Sequence, residues 1–258
     1  MKKIFLIGIG PGDPDYLTIQ AIKTMNRVDV FFLFEKEGRG KGELTDIRKA
    51  MLRKYVKGRK YRVVSALTPE RDRNSAAYES AVEDWRNRKR DVMAGLIKNE
   101  LKANQTGAFL IWGDPSLYDG SIEMLHDIRA GGVVKFDFAI VPGITCIQAL
   151  TQKHRIPLNR AGESVRITTG RRLNEKARSG AENIVVLLDR HSALKKFAGK
   201  DVEVFWGGYL GTKDEVLLSG RLEDVVGDYD RIRARAGGKK GWIMDTYLLR
   251  KRKPNKRR

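Results

Sequence analysis

The chain is poor in the residues that build metal centres and covalent cross-links. Cys146 is its one cysteine, which excludes a disulfide within the chain and a thiolate cluster built from one copy. Histidine is nearly as scarce. His126, His154 and His191 are scattered without ligand spacing, so no metal site is expected. No apolar run approaches the roughly 18–20 residues needed to cross a bilayer. The N-terminus moves almost at once into a strand-like run and lacks the basic, apolar and small-residue progression of a secretory signal, so a cytoplasmic location is expected. Acidic residues are outnumbered: 32 Asp and Glu stand against 51 Lys and Arg, a net charge of +19. Such an excess favours an anionic partner, either nucleic acid or a small molecule with many carboxylates or phosphates. Much of it lies in runs at 49–62, 86–90 and 250–258, and the simplest reading of each is a solvated face or end.

What the chain does have is alternation. Apolar stretches of strand length at Ile4–Ile7, Val28–Phe34, Tyr61–Val64, Ala108–Trp112 and Phe136–Val141 are interleaved with helical patterns at Leu17–Asn26, Tyr78–Leu101, Ser121–Arg129 and Thr145–His154. That order predicts an α/β fold with a mainly parallel sheet covered by helices. After a connector at Ile156–Gly162, further strands are expected at Val165–Thr168, Asn183–Leu188, Val202–Trp206, Val216–Gly220 and Trp242–Leu249. Two α/β domains are therefore expected, 1–159 and 160–258.

Three glycine-proline turns each follow a predicted strand of the first half: Gly8-Ile-Gly-Pro-Gly-Asp-Pro14, Gly113-Asp-Pro115 and Pro142-Gly-Ile-Thr145. Parallel strands place their carboxyl ends on one edge, so these turns can converge there. The first is not a phosphate cradle, because Pro11 and Pro14 each remove a backbone N–H that such a cradle needs. Nor is it a dinucleotide fingerprint. Glu35 sits where a ribose-binding acid would stand, but the glycines are spaced G-x-G-x-G rather than G-x-G-x-x-G. The loop suits a wall beside an uncharged or zwitterionic ligand.

Together with Leu17-Thr18 and Tyr118, the three turns resemble the tetrapyrrole (corrin/porphyrin) methyltransferases, in order and over nearly the whole chain. Trp112–Asp119, Ile147–Leu150 with His154 and Ile156–Asn159, Thr168–Leu173 and Gly241–Arg250 are more particular. Within the family they point to C-1 methylation of precorrin-5 with loss of acetate, giving precorrin-6A. The resemblance implies a class III methyltransferase fold, with S-adenosylmethionine held in a trough between two α/β domains, and a homodimer. It implies cofactor contacts from Pro11, Trp112, Gly113, Asp114, Leu117, Thr145 and Cys146, and adenine contacts from Leu188, Leu210 and Trp242. Leu188-Asp189 departs from the Met-Gly or Met-Ala of many relatives.

A polycarboxylate macrocycle suits the guanidinium forks of Arg171 and Arg172. Tyr118 and Asp119, beside the cofactor loop, are the catalytic candidates, and His154 is a second candidate base that reads equally well as a helix-end residue. Cys146 reads as a small backbone-contact residue rather than a reactive thiol. Two other classes stay open: a methyltransferase of the same fold acting on another precorrin or on ribosomal RNA, and a non-catalytic tetrapyrrole- or nucleotide-binding protein.

Overall fold

The computed structural model describes residues 1–36, 42–58, 60–70, 78–173, 182–189, 192–241 and 243–252. They form two compact units, Met1–Ile144 and Thr145–Arg258.

The first unit is built on five parallel strands: β1 (Lys2–Gly8), β2 (Val30–Glu35), β3 (Arg62–Leu67), β4 (Thr106–Ile111) and β5 (Phe136–Val141), in the order β3-β2-β4-β1-β5. Alternate residues point to opposite faces, and each face has its own core. On one, Phe5, Ile7, Phe31, Leu33, Ala108 and Leu110 meet the apolar sides of α1 (Ile19–Met25) and α2 (Glu43–Tyr55). On the other, Ile4, Leu6, Val30, Phe32, Phe109 and Ile111 meet α3 (Tyr78–Glu100) and α4 (Ser121–Ala130). Helix α1 begins where expected. The Thr18 hydroxyl accepts from the N–H of Ala21 at 3.0 Å, satisfying one of the free donors of the first turn.

The second unit has a mixed sheet. Its strands are β6 (Val165–Thr169), β7 (Asn183–Leu187), β8 (Val202–Gly208), β9 (Val216–Arg221) and β10 (Asp245–Lys251), in the order β6-β7-β10-β8-β9. Only β6 and β7 pair parallel; β10 runs antiparallel to both β7 and β8, and β9 antiparallel to β8. Helix α6 (Leu222–Lys240) opens with Glu223 and Asp224, charges that suit a helix N-terminus. It covers one face through Leu222, Val225, Val226, Tyr229 and Ile232 against Val204, Trp206, Tyr247 and Leu249.

The division at Ile144–Thr145 falls earlier than the boundary near 159 expected from the sequence. Helix α5 (Cys146–His154) explains the difference. It belongs to the second sheet: Nε2 of His154 hydrogen-bonds the carbonyl of Trp206 at 3.0 Å, and Leu150 packs where a Cβ on Gly207 would stand.

Candidate functional site

The site begins with three neighbouring strands. Because β4, β1 and β5 are adjacent and parallel, the turns that leave them lie on one edge. The turns touch through main chain. Ile9 N–H donates to the carbonyl of Ile111 at 2.9 Å. Gly10 and Gly113 then exchange hydrogen bonds, Gly10 N to Gly113 O at 3.2 Å and Gly113 N to Gly10 O at 2.9 Å. Both glycines have positive φ, 77° and 69°, a conformation that side chains disfavour. The third turn closes on the first. A Cβ on Gly8 would lie 2.5 Å from Gly143 N and 2.9 Å from Gly113 O, so only glycine permits this approach.

Asp114 ties the second turn to the third. Its Oδ2 accepts from Gly143 N–H at 2.8 Å, and Oδ1 accepts from Ser116 N–H at 2.8 Å and from the Ser116 hydroxyl. Burial raises the carboxyl, but these donors outweigh it and hold the group below the usual aspartate value. The sequence reading put Asp114 against the cofactor. In the structure its carboxylate joins the second turn to the third. Pro11 is buried within the first turn, Trp112 is half-buried on the core, and Leu117 N–H returns to the Asp114 carbonyl at 3.2 Å. Tyr118 stands out at 51% exposure with φ of 52°. Oδ1 of Asp119 accepts from Ser121 N–H at 2.9 Å and so organises the entry to α4.

The second unit gathers Arg171, Arg172, Leu188 and Leu210 on one edge of its own sheet. The carboxyl ends of β6, β7 and β8 and the amino end of β10 all lie there. Arg171 and Arg172 sit on a single exposed turn directly after β6, fixed because Gly170 packs against Asp189 with no room for a Cβ. Leu188 follows β7 with φ of 56° and is 63% exposed, an apolar side chain presented to solvent by strained backbone. Leu210 follows β8 and is buried. Trp242 lies outside the described residues.

Thr145 caps α5 reciprocally with Gln148, and Cys146 follows, its thiol reaching Thr246 at the start of β10. Burial pushes the Cys146 thiol up, against the Thr246 and backbone hydrogen bonds. Burial also lowers His154, against the opposing Trp206 carbonyl and Glu215; its ring holds α5 to β8 and is not presented as a base.

Sequence reasoning missed the polar group beneath this edge. The Tyr247 hydroxyl donates to Asp189 Oδ2 at 2.6 Å. Asp245 Oδ2 accepts from Trp206 Nε1 at 3.1 Å and Arg233 Nε at 3.3 Å, while another Arg233 nitrogen donates to the Asp189 carbonyl. The signal was present in the acids that close β7 and open β10, but their convergence depends on strand order.

A family model for tetrapyrrole (corrin/porphyrin) methylases matches residues 3–226. The chain belongs to that family. It is a methyltransferase, and S-adenosylmethionine is its methyl donor. It is 43% identical over 251 residues to the precorrin-6A synthase [deacetylating] of a Sinorhizobium species, covering 97% of this chain and 96% of that protein. The crystal structure of a cobalamin synthesis related protein, CobF, of Corynebacterium diphtheriae superposes with a TM-score of 0.79 at 31% identity, over 97% of this chain and 99% of that one. The uroporphyrin-III C-methyltransferase of Thermus thermophilus, solved with S-adenosyl homocysteine, shares the fold at 18% identity, with a TM-score of 0.56 and 96% of each chain covered.

The local chemistry fits such a donor. S-adenosylmethionine has a sulfonium, an ammonium, a carboxylate and an adenine but no phosphate. A cradle of carbonyls and glycine backbone, with the Asp114 carboxylate already hydrogen-bonded, suits that set better than a ring of N–H donors.

Proposed function

We propose that this chain methylates C-1 of precorrin-5 with loss of acetate, giving precorrin-6A in aerobic cobalamin biosynthesis. The observation that carries the reading is the 43% identity over 97% of the chain to a precorrin-6A synthase. The glycine-lined junction of three turns supports it as a place for the donor.

S-adenosylmethionine supplies an already activated methyl, transferred in line as the sulfur–carbon bond breaks and a carbon–carbon bond forms. The protein's part is then chiefly to hold the reacting atoms collinear. The backbone of Pro11, Gly113 and Leu117 and the side chain of Trp112 contact the donor, with Asp114 fixing the turns. Thr145, Cys146, Leu188, Leu210 and Trp242 complete its contacts. Arg171 and Arg172 take substrate carboxylates. Release of the acetyl group as acetate requires a water oxygen at its carbonyl carbon, and Tyr118, exposed beside the second turn, handles protons in that step; Asp119 steadies the same loop. The working form is a homodimer in the cytoplasm, a reading supported by the family resemblance.

Incubation of the purified protein with precorrin-5 and methyl-labelled S-adenosylmethionine tests the proposal. One methyl gained per macrocycle, with stoichiometric acetate, is expected. Methylated ribosomal RNA alongside unchanged precorrin-5 would overturn it.

A further inference from the structure

The carboxyl ends of β2 and β4 form a second distinct position on the edge of the first sheet. Strands β2 and β4 are neighbours, but the chain leaves them on opposite faces. After β2 it enters α2 against one core, and after β4 it enters α4 against the other. Where adjacent parallel strands part in this way a crevice opens at their carboxyl ends, and ligands of α/β proteins bind in such crevices.

Two cations reach this position from opposite faces. Arg48 of α2 is locked by its own hydrogen bonds. Its Nε donates to the Leu110 carbonyl at 3.1 Å and Nη1 to the Leu44 carbonyl at 2.9 Å, and the guanidinium lies 5.6 Å from the Trp112 ring centre. Lys89 of α3 places its ammonium 5.2 Å from the ring centre of Phe34 and 5.6 Å from that of Trp85. Asp119 is the acid that attracts both, and the two cations repel each other. Neither has a carboxylate within ion-pair distance among the described residues. One Asp119 oxygen is already taken by Ser121 N–H.

Burial lowers Arg48 to about 10, with Asp119 opposing, and lowers Lys89 against the same opposition. Two desolvated cations sharing one distant acid are costly to hold together. Aromatic faces offset part of that cost. An incoming carboxylate offsets more, because a fixed guanidinium and a nearby ammonium would both donate to it. The arrangement adjoins Trp112, whose neighbour Gly113 closes the cofactor cradle on Gly10.

We propose that Arg48 and Lys89 form a carboxylate-binding subsite that grips one acid side arm of the substrate and so orients the macrocycle against the methyl donor. This assignment rests on the tetrapyrrole reading of the substrate given above.

The test uses the full chain saturated with S-adenosyl homocysteine, and uroporphyrin III, a stable porphyrin with a carboxylate on every peripheral arm, as the probe. Binding is followed by porphyrin fluorescence at low and moderate salt. Lys89→Met and Arg48→Gln are each expected to weaken porphyrin binding about tenfold. Both should reduce its salt dependence, and Lys89→Met should leave S-adenosyl homocysteine affinity unchanged. Lys89→Arg should restore binding. The Lys89 side chain makes no hydrogen bond among the described residues, so Lys89→Met remains informative if Arg48→Gln fails to fold. Variants that bind the porphyrin as the wild type does would overturn the subsite and leave the proposed function standing. A wild-type protein that binds S-adenosyl homocysteine but no uroporphyrin would overturn the substrate reading and the subsite with it.

Discussion

A single carboxylate decides how the cofactor turns meet. Asp114 accepts from Ser116 and from Gly143 N–H, across a gap of 29 residues in sequence. Asparagine at 114 loses the charge-assisted part of these bonds and presents an amide where an acceptor is needed. Asp114→Asn is expected to cost about 1–3 kcal/mol of stability, read by denaturant unfolding, and to weaken S-adenosylmethionine binding by calorimetry. The sign of the pH dependence follows from the depressed carboxyl. Its contribution is present above the unfolded aspartate value and is lost as the pH falls through the lower folded value. The gap between wild type and Asp114→Asn should therefore be full at neutral pH and narrow as the pH falls below the ordinary aspartate range. The residues of this junction were visible in the sequence as glycines and prolines after strands, because main-chain approach restricts residue type. The part Asp114 plays in it was not visible, because a carboxylate beside a ligand and one that staples two loops leave the same letter.

Among the elements, the buried polar group of the second sheet is the most exposed to mutation. Arg233 on α6 faces Asp245 on β10, where Trp206 also donates. Burial pushes the Asp245 carboxyl up, and Arg233 and Trp206 draw it back. Arg233→Met leaves that acid buried without its cation, a change expected to cost about 3–5 kcal/mol. Without Arg233 the carboxyl rises further, so the variant is most stable below the unfolded aspartate value and loses stability as the pH climbs from there to the raised folded value. Urea unfolding of both proteins across the acid range checks this: the deficit should shrink toward low pH.

The elements also differ in how legible they were. Helices α1 and α5 carry cap residues, Thr18 and Thr145, and start where the sequence placed them. Helix α2 was read only as part of a basic stretch. Its buried and half-buried Ile47, Met51, Leu52 and Tyr55 are interleaved with Arg48, Lys49, Arg53 and Lys54, so charge masked the apolar stripe. The same masking hid Arg48 as a candidate ligand-binding residue.

At the scale of the molecule, the parallel first sheet followed from strand–helix alternation, whereas the antiparallel pairings of the second did not. Strand spacing alone does not say that the last strand returns between β7 and β8. The expected boundary near 159 rested on a polar connector, while packing assigns α5 to the second unit.

The central place of β10 has a consequence for synthesis. Strands β7 and β8 meet only through it, along registers that run to Arg250 and Lys251. While a ribosome is still making residues 245–251, the second unit has two open apolar edges and no closed core, although everything the first unit needs has already emerged. A nascent chain arrested just before Asp245 should resist protease through about residue 144 and be cut readily beyond it; equal protection of both halves would contradict this order of assembly.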